Sequence, residues 1–133
     1  MDKPLPVPTA TSQVFWESLS EGKIRIQYSP STGAWVYYPR VLAPGSLADD
    51  LEWREISGAG SLYTFTIARR PTAPAWADSL PQILAVVELD EGPRLTTEIV
   101  NAQPEDLRIG QRVRPVFSPT ADPAVTLLRY ELA

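Results

Sequence analysis

The sequence predicts a mainly β protein with one short helix, a pair of small hairpins and a closed barrel of five or six strands. The barrel rests first on Gly60-Ser-Leu-Tyr-Thr-Phe-Thr-Ile67. This segment alternates between two faces, with Tyr63, Phe65 and Ile67 on one and Leu62, Thr64 and Thr66 on the other. It rests also on the short apolar runs that recur from there to the C terminus, separated by Gly, Pro and Asp. Helical spacing stands out in one place ahead of them, residues 12–22.

In chain order, residues 1–11 are rich in Pro and Thr and lack aromatics, which reads as an extended arm. Ser12 to Gly22 then reads as a helix. Thr11 or Ser12 is placed to cap it, Phe15 and Leu19 stand at i, i+4, and Gly22 supplies a left-handed stop. So short a helix is unstable alone, so Phe15 and Trp16 must pack on something. Either they seal a core edge, or they dock a partner or line a ligand channel. Ile24–Tyr28 and Ala34–Tyr38 follow as strands around a Ser/Pro/Thr/Gly turn, with a second turn at Pro39-Arg40 and Ala43-Pro44-Gly45-Ser46.

Between Ile24 and Trp53 this layout is that of a small zinc ribbon, in which two paired-ligand knuckles hold one tetrahedral metal. The matching frame, Tyr28-x-x-Ser31 and Ala43-x-x-Ser46, keeps the spacing without the ligands, and the chain has no Cys and no His. Ser and Tyr oxygens are hard, weakly acidic donors and Ala offers none, so no structural zinc is expected. A unit this small cannot hold itself by a core of its own. Trp35, Tyr37, Tyr38, Leu42 and Trp53 are therefore expected to replace the metal by packing on one another and on the barrel.

Beyond residue 51 the strands succeed one another quickly. Ile83–Leu89 is a continuous apolar run and predicts a central strand, Asp90–Pro93 a turn, and Arg94–Val100 the next strand. Pro104–Leu107 reads as one helical turn, and Gln111–Phe117 and Thr126–Leu132 complete the set. Glycines at bends and one short helical insertion suit a small barrel of the OB type. The predicted organisation is thus an arm (1–11), a helix with a degenerate ribbon (12–50) and an OB-fold domain (51–133).

Composition narrows the function classes. A net charge of −4 and a pI near 4.8, with no basic stripe, argue against a nucleic-acid partner. The N-terminal residues carry no apolar signal-like core, and no segment approaches the roughly 18 apolar residues of a membrane span. The expectation is a soluble cytoplasmic protein.

Without His or Cys, acid–base and thiol chemistry of the commonest kinds are excluded. Lys3 and Lys23 have no visible Ser partner. Asp90 and Glu91 fall in a tight turn, and Asp49, Asp50 and Glu52 form an acidic cluster; both groups read as solvated. Arg94, Arg112 and Arg114 lie on strands, where cross-strand pairing with Glu88, Glu98 or Glu131 is expected. Residues 67–78 form a long Pro-containing loop of the kind that often carries function. Either Arg69 and Arg70 pair with the phosphates of coenzyme A while Trp76 stacks on its adenine or on a partner, or the arginines are solvated and Trp76 caps the barrel mouth.

The residues Phe15-Trp16, Pro39-Arg40, Pro44, Leu51-Glu52-Trp53, Ser57–Phe65 and Val87–Gly92, followed by Pro104–Leu107 and Ile109–Val113, together resemble one family. It is the family of zinc-ribbon plus OB-fold proteins associated with acyl-CoA metabolism, long catalogued as a domain of unknown function. The resemblance runs from about residue 12 to 130. In that family four ribbon cysteines hold zinc, and their counterparts here are Tyr28, Ser31, Ala43 and Ser46. The resemblance implies a non-catalytic accessory or scaffold subunit. Its partner would be a thiolase-like enzyme: an acyl-CoA thiolase, a ketosynthase-like acyltransferase or a steroid side-chain aldolase. The subunit would sometimes contribute to that enzyme's CoA channel. The alternative is a free-standing module that binds acyl-CoA or a related ligand through the Arg69–Trp76 loop.

Overall fold

Helix α1 (Gln13–Ser20) begins after Ser12, in a computed structural model that describes residues 2–133. Ser12 holds the capping position but does not cap. Its hydroxyl turns back to accept the Thr9 N–H at 2.9 Å, so the expected side-chain cap at Thr11 or Ser12 is absent. The helix buries Phe15, Ser18 and Leu19. The Ser18 hydroxyl donates to the Phe15 carbonyl at 2.7 Å and accepts the Arg25 N–H at 3.2 Å, tying helix to following strand. Gly22, at φ +74°, ends the helix with its N–H on the Leu19 carbonyl.

Three strands form a small antiparallel sheet in the order β2 (Ala34–Val36), β1 (Ile24–Ser29), β3 (Glu52–Ile56). β3 pairs with β1 from Ile24↔Ile56 to Tyr28↔Glu52. Residues 52–56 thus belong to the ribbon-like sheet, which runs past the boundary drawn at residue 50. They cover the second edge of β1, which would otherwise present unpaired backbone groups.

The remaining strands are β4 (Gly60–Ala68), β5 (Gln82–Leu89), β6 (Arg94–Ile99), β7 (Arg112–Pro119) and β8 (Thr126–Leu132). They close a five-stranded barrel in the order β4-β5-β6-β8-β7, of the OB type. β4 meets β7 through Gly60↔Val113 and Ser61↔Arg112. β6 meets β8 in parallel through one pair, Ile99↔Tyr130, the shortest ladder in the barrel, and the Val100 N–H extends it to the Tyr130 carbonyl at 2.8 Å. The Thr97 hydroxyl spans this seam to reach the Leu128 carbonyl at 3.1 Å.

One face assignment differs from the sequence pattern. A bulge between Leu62 and Thr64 leaves Tyr63 without a partner on β5, and it points to solvent, 45% exposed. Leu62, 1% exposed, takes the inward place instead, with Phe65 and Ile67 packed against the core. A bulge inserts one residue and so inverts the alternation on one side of itself.

Phe15, Leu19, Ile24, Ile26 and Ile56 form one continuous cluster with the barrel residues Leu62, Val87, Leu95, Val113 and Tyr130. Each fully buried aliphatic side chain contributes roughly 1.5–3 kcal/mol. Helix, small sheet and barrel are therefore joined by a shared core. At the junction the Tyr130 hydroxyl donates to the Gly58 carbonyl at 2.7 Å. Gly58 has φ +76°, and a Cβ there would strike Ile24.

Candidate functional site

The four degenerate ribbon positions each have another occupation. The Tyr28 ring lies 4.7 Å from Trp35 and carries the Arg54 guanidinium 4.1 Å above its centroid. Ser31 gives its N–H to the Asp50 carboxylate at 2.8 Å. Ala43 is buried, and its backbone closes a turn with Leu47 and Ala48 at 2.9 Å. The Ser46 hydroxyl accepts the Ala48 N–H at 3.2 Å. A phenol under a guanidinium, two hydroxyls and a methyl group do not fit zinc. Among the described residues no cluster of three Asp or Glu gathers as a metal site either.

Two polar clasps occupy the same region. The Asp50 carboxylate accepts the Ser29 hydroxyl at 2.6 Å as well as the Ser31 N–H. The hydrogen bond from Ser29 first, then those from Ser31, hold the Asp50 carboxyl down at about 2. Asp50 is thus engaged, and not the solvated member of an acidic cluster. Gln27, buried, donates to the Arg40 carbonyl at 2.8 Å and accepts the Arg40 N–H at 2.7 Å. Of the aromatic and aliphatic side chains expected to replace the metal, Trp35, Tyr37 and Trp53 pack against the core. Tyr38, 55% exposed, packs edge-on against Tyr37 at 5.0 Å without joining the core, and Leu42 is 43% exposed.

The ligand candidates divide. Phe15, Trp16 and Trp76 come together around a cleft of about 230 Å³ over the β6–β8 seam, with Tyr37, Leu128 and Arg129. Phe15 stands edge-on to both Trp16 and Tyr37, at 5.3 and 5.6 Å. Trp76 sits on a 3-10 turn (Pro74–Ser79), and Lys3 of the N-terminal arm lies 5.1 Å from its ring. Arg70 shares with Trp76 a second hollow of about 260 Å³. Arg69 is exposed and lines neither.

Arg129, 3.9 Å from Glu98 across the seam, is a cleft residue that the sequence reading did not single out. Its signal was a lone charge inside Thr126-Leu-Leu-Arg-Tyr, legible only once β6 and β8 are known to be neighbours. The other strand arginines are paired: Arg94 with Glu88 at 2.8 Å, Arg114 with Glu131 at 3.0 Å. Arg112 grips Asp90 through both nitrogens at 2.8 and 2.7 Å, so Asp90 is not merely solvated. Burial pushes the hydroxyls of Tyr37 and Tyr130 up, keeping both protonated. The arrangement offers apolar walls, aromatic edges and a cation, which are means of binding.

A five-stranded OB-type barrel behind a ribbon-like sheet defines the class. Residues 53–118 match the family described as ChsH2, C-terminal OB-fold domain. The chain is 32% identical over 105 residues to a DUF35 domain-containing scaffold protein of Methanocaldococcus jannaschii, covering 77% of this chain and 73% of that protein. It is 29% identical over 125 residues to a probable enoyl-CoA hydratase alpha subunit of Thermomonospora curvata. That match takes in 94% of this chain but spans only 38% of the Thermomonospora protein. A chain of the solved Ltp2-ChsH2(DUF35) aldolase superposes with a TM-score of 0.82 at 28% identity, over 96% of this chain and 98% of that one. This chain belongs to the family of DUF35 domain-containing scaffold proteins.

Proposed function

We propose that this chain is a non-catalytic accessory subunit that binds a thiolase-like acyl-CoA enzyme and contributes to its CoA channel. The observation that carries the reading is the superposition, nearly end to end, on a chain of a two-component aldolase. The residues agree with it: no His or Cys is present, and the strand carboxylates Glu88 and Glu131 and the turn carboxylate Asp90 are occupied by arginines. The ribbon region is held by hydrogen bonds and packing, and its four ligand positions offer no set of donors that fits zinc. Affinity purification with the tagged full chain from its own cells tests the reading. A stoichiometric acyl-CoA enzyme is expected, and recovery of none would count decisively against it.

A second reading, a free-standing acyl-CoA binding module, is favoured by one observation: Arg70 and Trp76 line a common hollow. It requires saturable CoA-ester binding by the isolated chain, measured calorimetrically.

A further inference from the structure

We propose that the loop between β2 and β3 is the docking surface for the partner enzyme, with Arg40 as its charged anchor and Tyr38 and Leu42 as apolar anchors. Its counterpart is a patch in which a carboxylate stands beside apolar side chains. The proposal rests on the accessory-subunit reading and assigns a place to it.

From residue 37 to 48 the loop carries a single charged side chain, Arg40; Asp49 and Asp50 follow only where it enters β3, and the Asp50 carboxylate is taken up by Ser29 and Ser31. Tyr38, Val41, Leu42 and Leu47 are all exposed there, Val41 by 76% and Leu47 by 69%. Scattered exposed apolar residues are ordinary, whereas four within one short loop mark an interaction surface. Beside them lies a hollow of about 270 Å³ lined by Trp35, Tyr38, Arg40, Pro44, Pro93 and Arg94. It has the size to accept a partner side chain, and two arginines but no carboxylate line it.

The loop is also pre-formed. Gln27 fixes the Arg40 backbone from both sides, and the Ala43 N–H and carbonyl close the turn on Ala48 and Leu47. Binding then costs little ordering of the backbone. The Arg40 guanidinium remains unspent: Arg25, Arg54, Arg94, Arg112, Arg114 and Arg129 each face a carboxylate, and Arg40 faces none among the described residues. Arg and Tyr beside an apolar pocket are the residues that dominate binding at interfaces. The charge also selects the occupant. A second copy docked symmetrically through this loop would set Arg40 against its own counterpart, whereas an acidic apolar patch completes it.

The test uses the full chain and the enzyme it recovers. Arg40→Glu is expected to weaken the complex by at least about tenfold, as is Leu42→Ser, while leaving the melting temperature of the chain in place. A photo-reactive side chain at position 42 is expected to crosslink to a segment of that enzyme carrying Asp or Glu. Changing that acidic residue to Lys should restore binding to Arg40→Glu. Wild-type affinity in both variants, or a crosslink from position 42 to a second copy of this chain, overturns the proposal alone. Recovery of no acyl-CoA enzyme by the wild type overturns the accessory reading, and this proposal with it.

Discussion

The Asp50 carboxylate accepts the hydroxyl of Ser29 at 2.6 Å, joining the end of β1 to the segment that leads into β3. With the bond from the Ser31 N–H, it closes the first knuckle of the ribbon frame from within. One carboxylate thus gathers a hydroxyl and an amide, and a buried glutamine two residues before Ser29 gathers the Arg40 backbone.

The Asp50 clasp predicts a specific response to acid. Its carboxyl titrates at about 2 in the fold against 3.8 for a free group, so the folded state favours the charged form. The clasp's contribution is therefore complete above pH 3.8 and is lost as the pH falls through about 2. Urea midpoints of wild type and Asp50→Asn, compared across this range, measure it. The variant should be weaker at neutral pH and should fall less steeply in acid. Parallel curves would remove Asp50 from the account.

A second prediction separates hydrogen bonding from metal. Prolonged exposure to EDTA should leave the melting temperature unchanged, and elemental analysis should find no stoichiometric zinc. Gln27→Ala, by contrast, leaves the Arg40 N–H and carbonyl without their buried partner and should cost about 1–3 kcal/mol. A chelator-sensitive melt would mean that some other donor set holds metal.

Much of this fold can be read from the residues because local pattern and burial agree. Phe15 and Leu19 at i, i+4 do face the core, Gly22 does end the helix, and the runs beyond residue 60 do become barrel strands. The failures occur where one residue changes the count or where distant segments meet. The bulge at Tyr63 exchanges it with Leu62, and no local propensity marks a bulge. Asp50 reads as solvated because its partners, Ser29 and Ser31, become neighbours only when β3 is laid against β1. Arg129 escapes notice for the same reason: the cleft it lines requires the parallel contact of β6 with β8.

The junction of barrel and ribbon makes a third prediction. Tyr130, fully buried, gives its hydroxyl to the Gly58 carbonyl at 2.7 Å. Tyr130→Phe keeps the ring and leaves that carbonyl unsatisfied, which should cost about 1–3 kcal/mol in equilibrium denaturation. Burial also raises the Tyr130 and Tyr37 hydroxyls above their ordinary 10.0. Both groups bind protons more tightly in the fold, so their contribution is full below pH 10 and is lost as the pH climbs through the raised values. In an ultraviolet titration, two of the five tyrosines should therefore ionise only as the chain unfolds. Ionisation of all five while the near-ultraviolet circular dichroism stays native would contradict this burial.

The last prediction divides two adjacent arginines. Arg70 lines the hollow beside Trp76, whereas Arg69 lines neither that hollow nor the cleft over the β6–β8 seam. If this chain holds a CoA phosphate, the planar guanidinium of Arg70 is the group placed to hold it while Trp76 offers a stacking face. Arg70→Ala should then weaken CoA-ester binding by about tenfold, the scale of one lost charge-assisted hydrogen bond. Arg69→Ala should leave the affinity within about twofold, since only long-range, salt-screened attraction is lost. Titrations of both variants at two salt concentrations decide the matter. Equal losses that vanish at high salt would reduce the loop to a diffuse positive patch, and the hollow beside Trp76 would then have no part in holding the ligand.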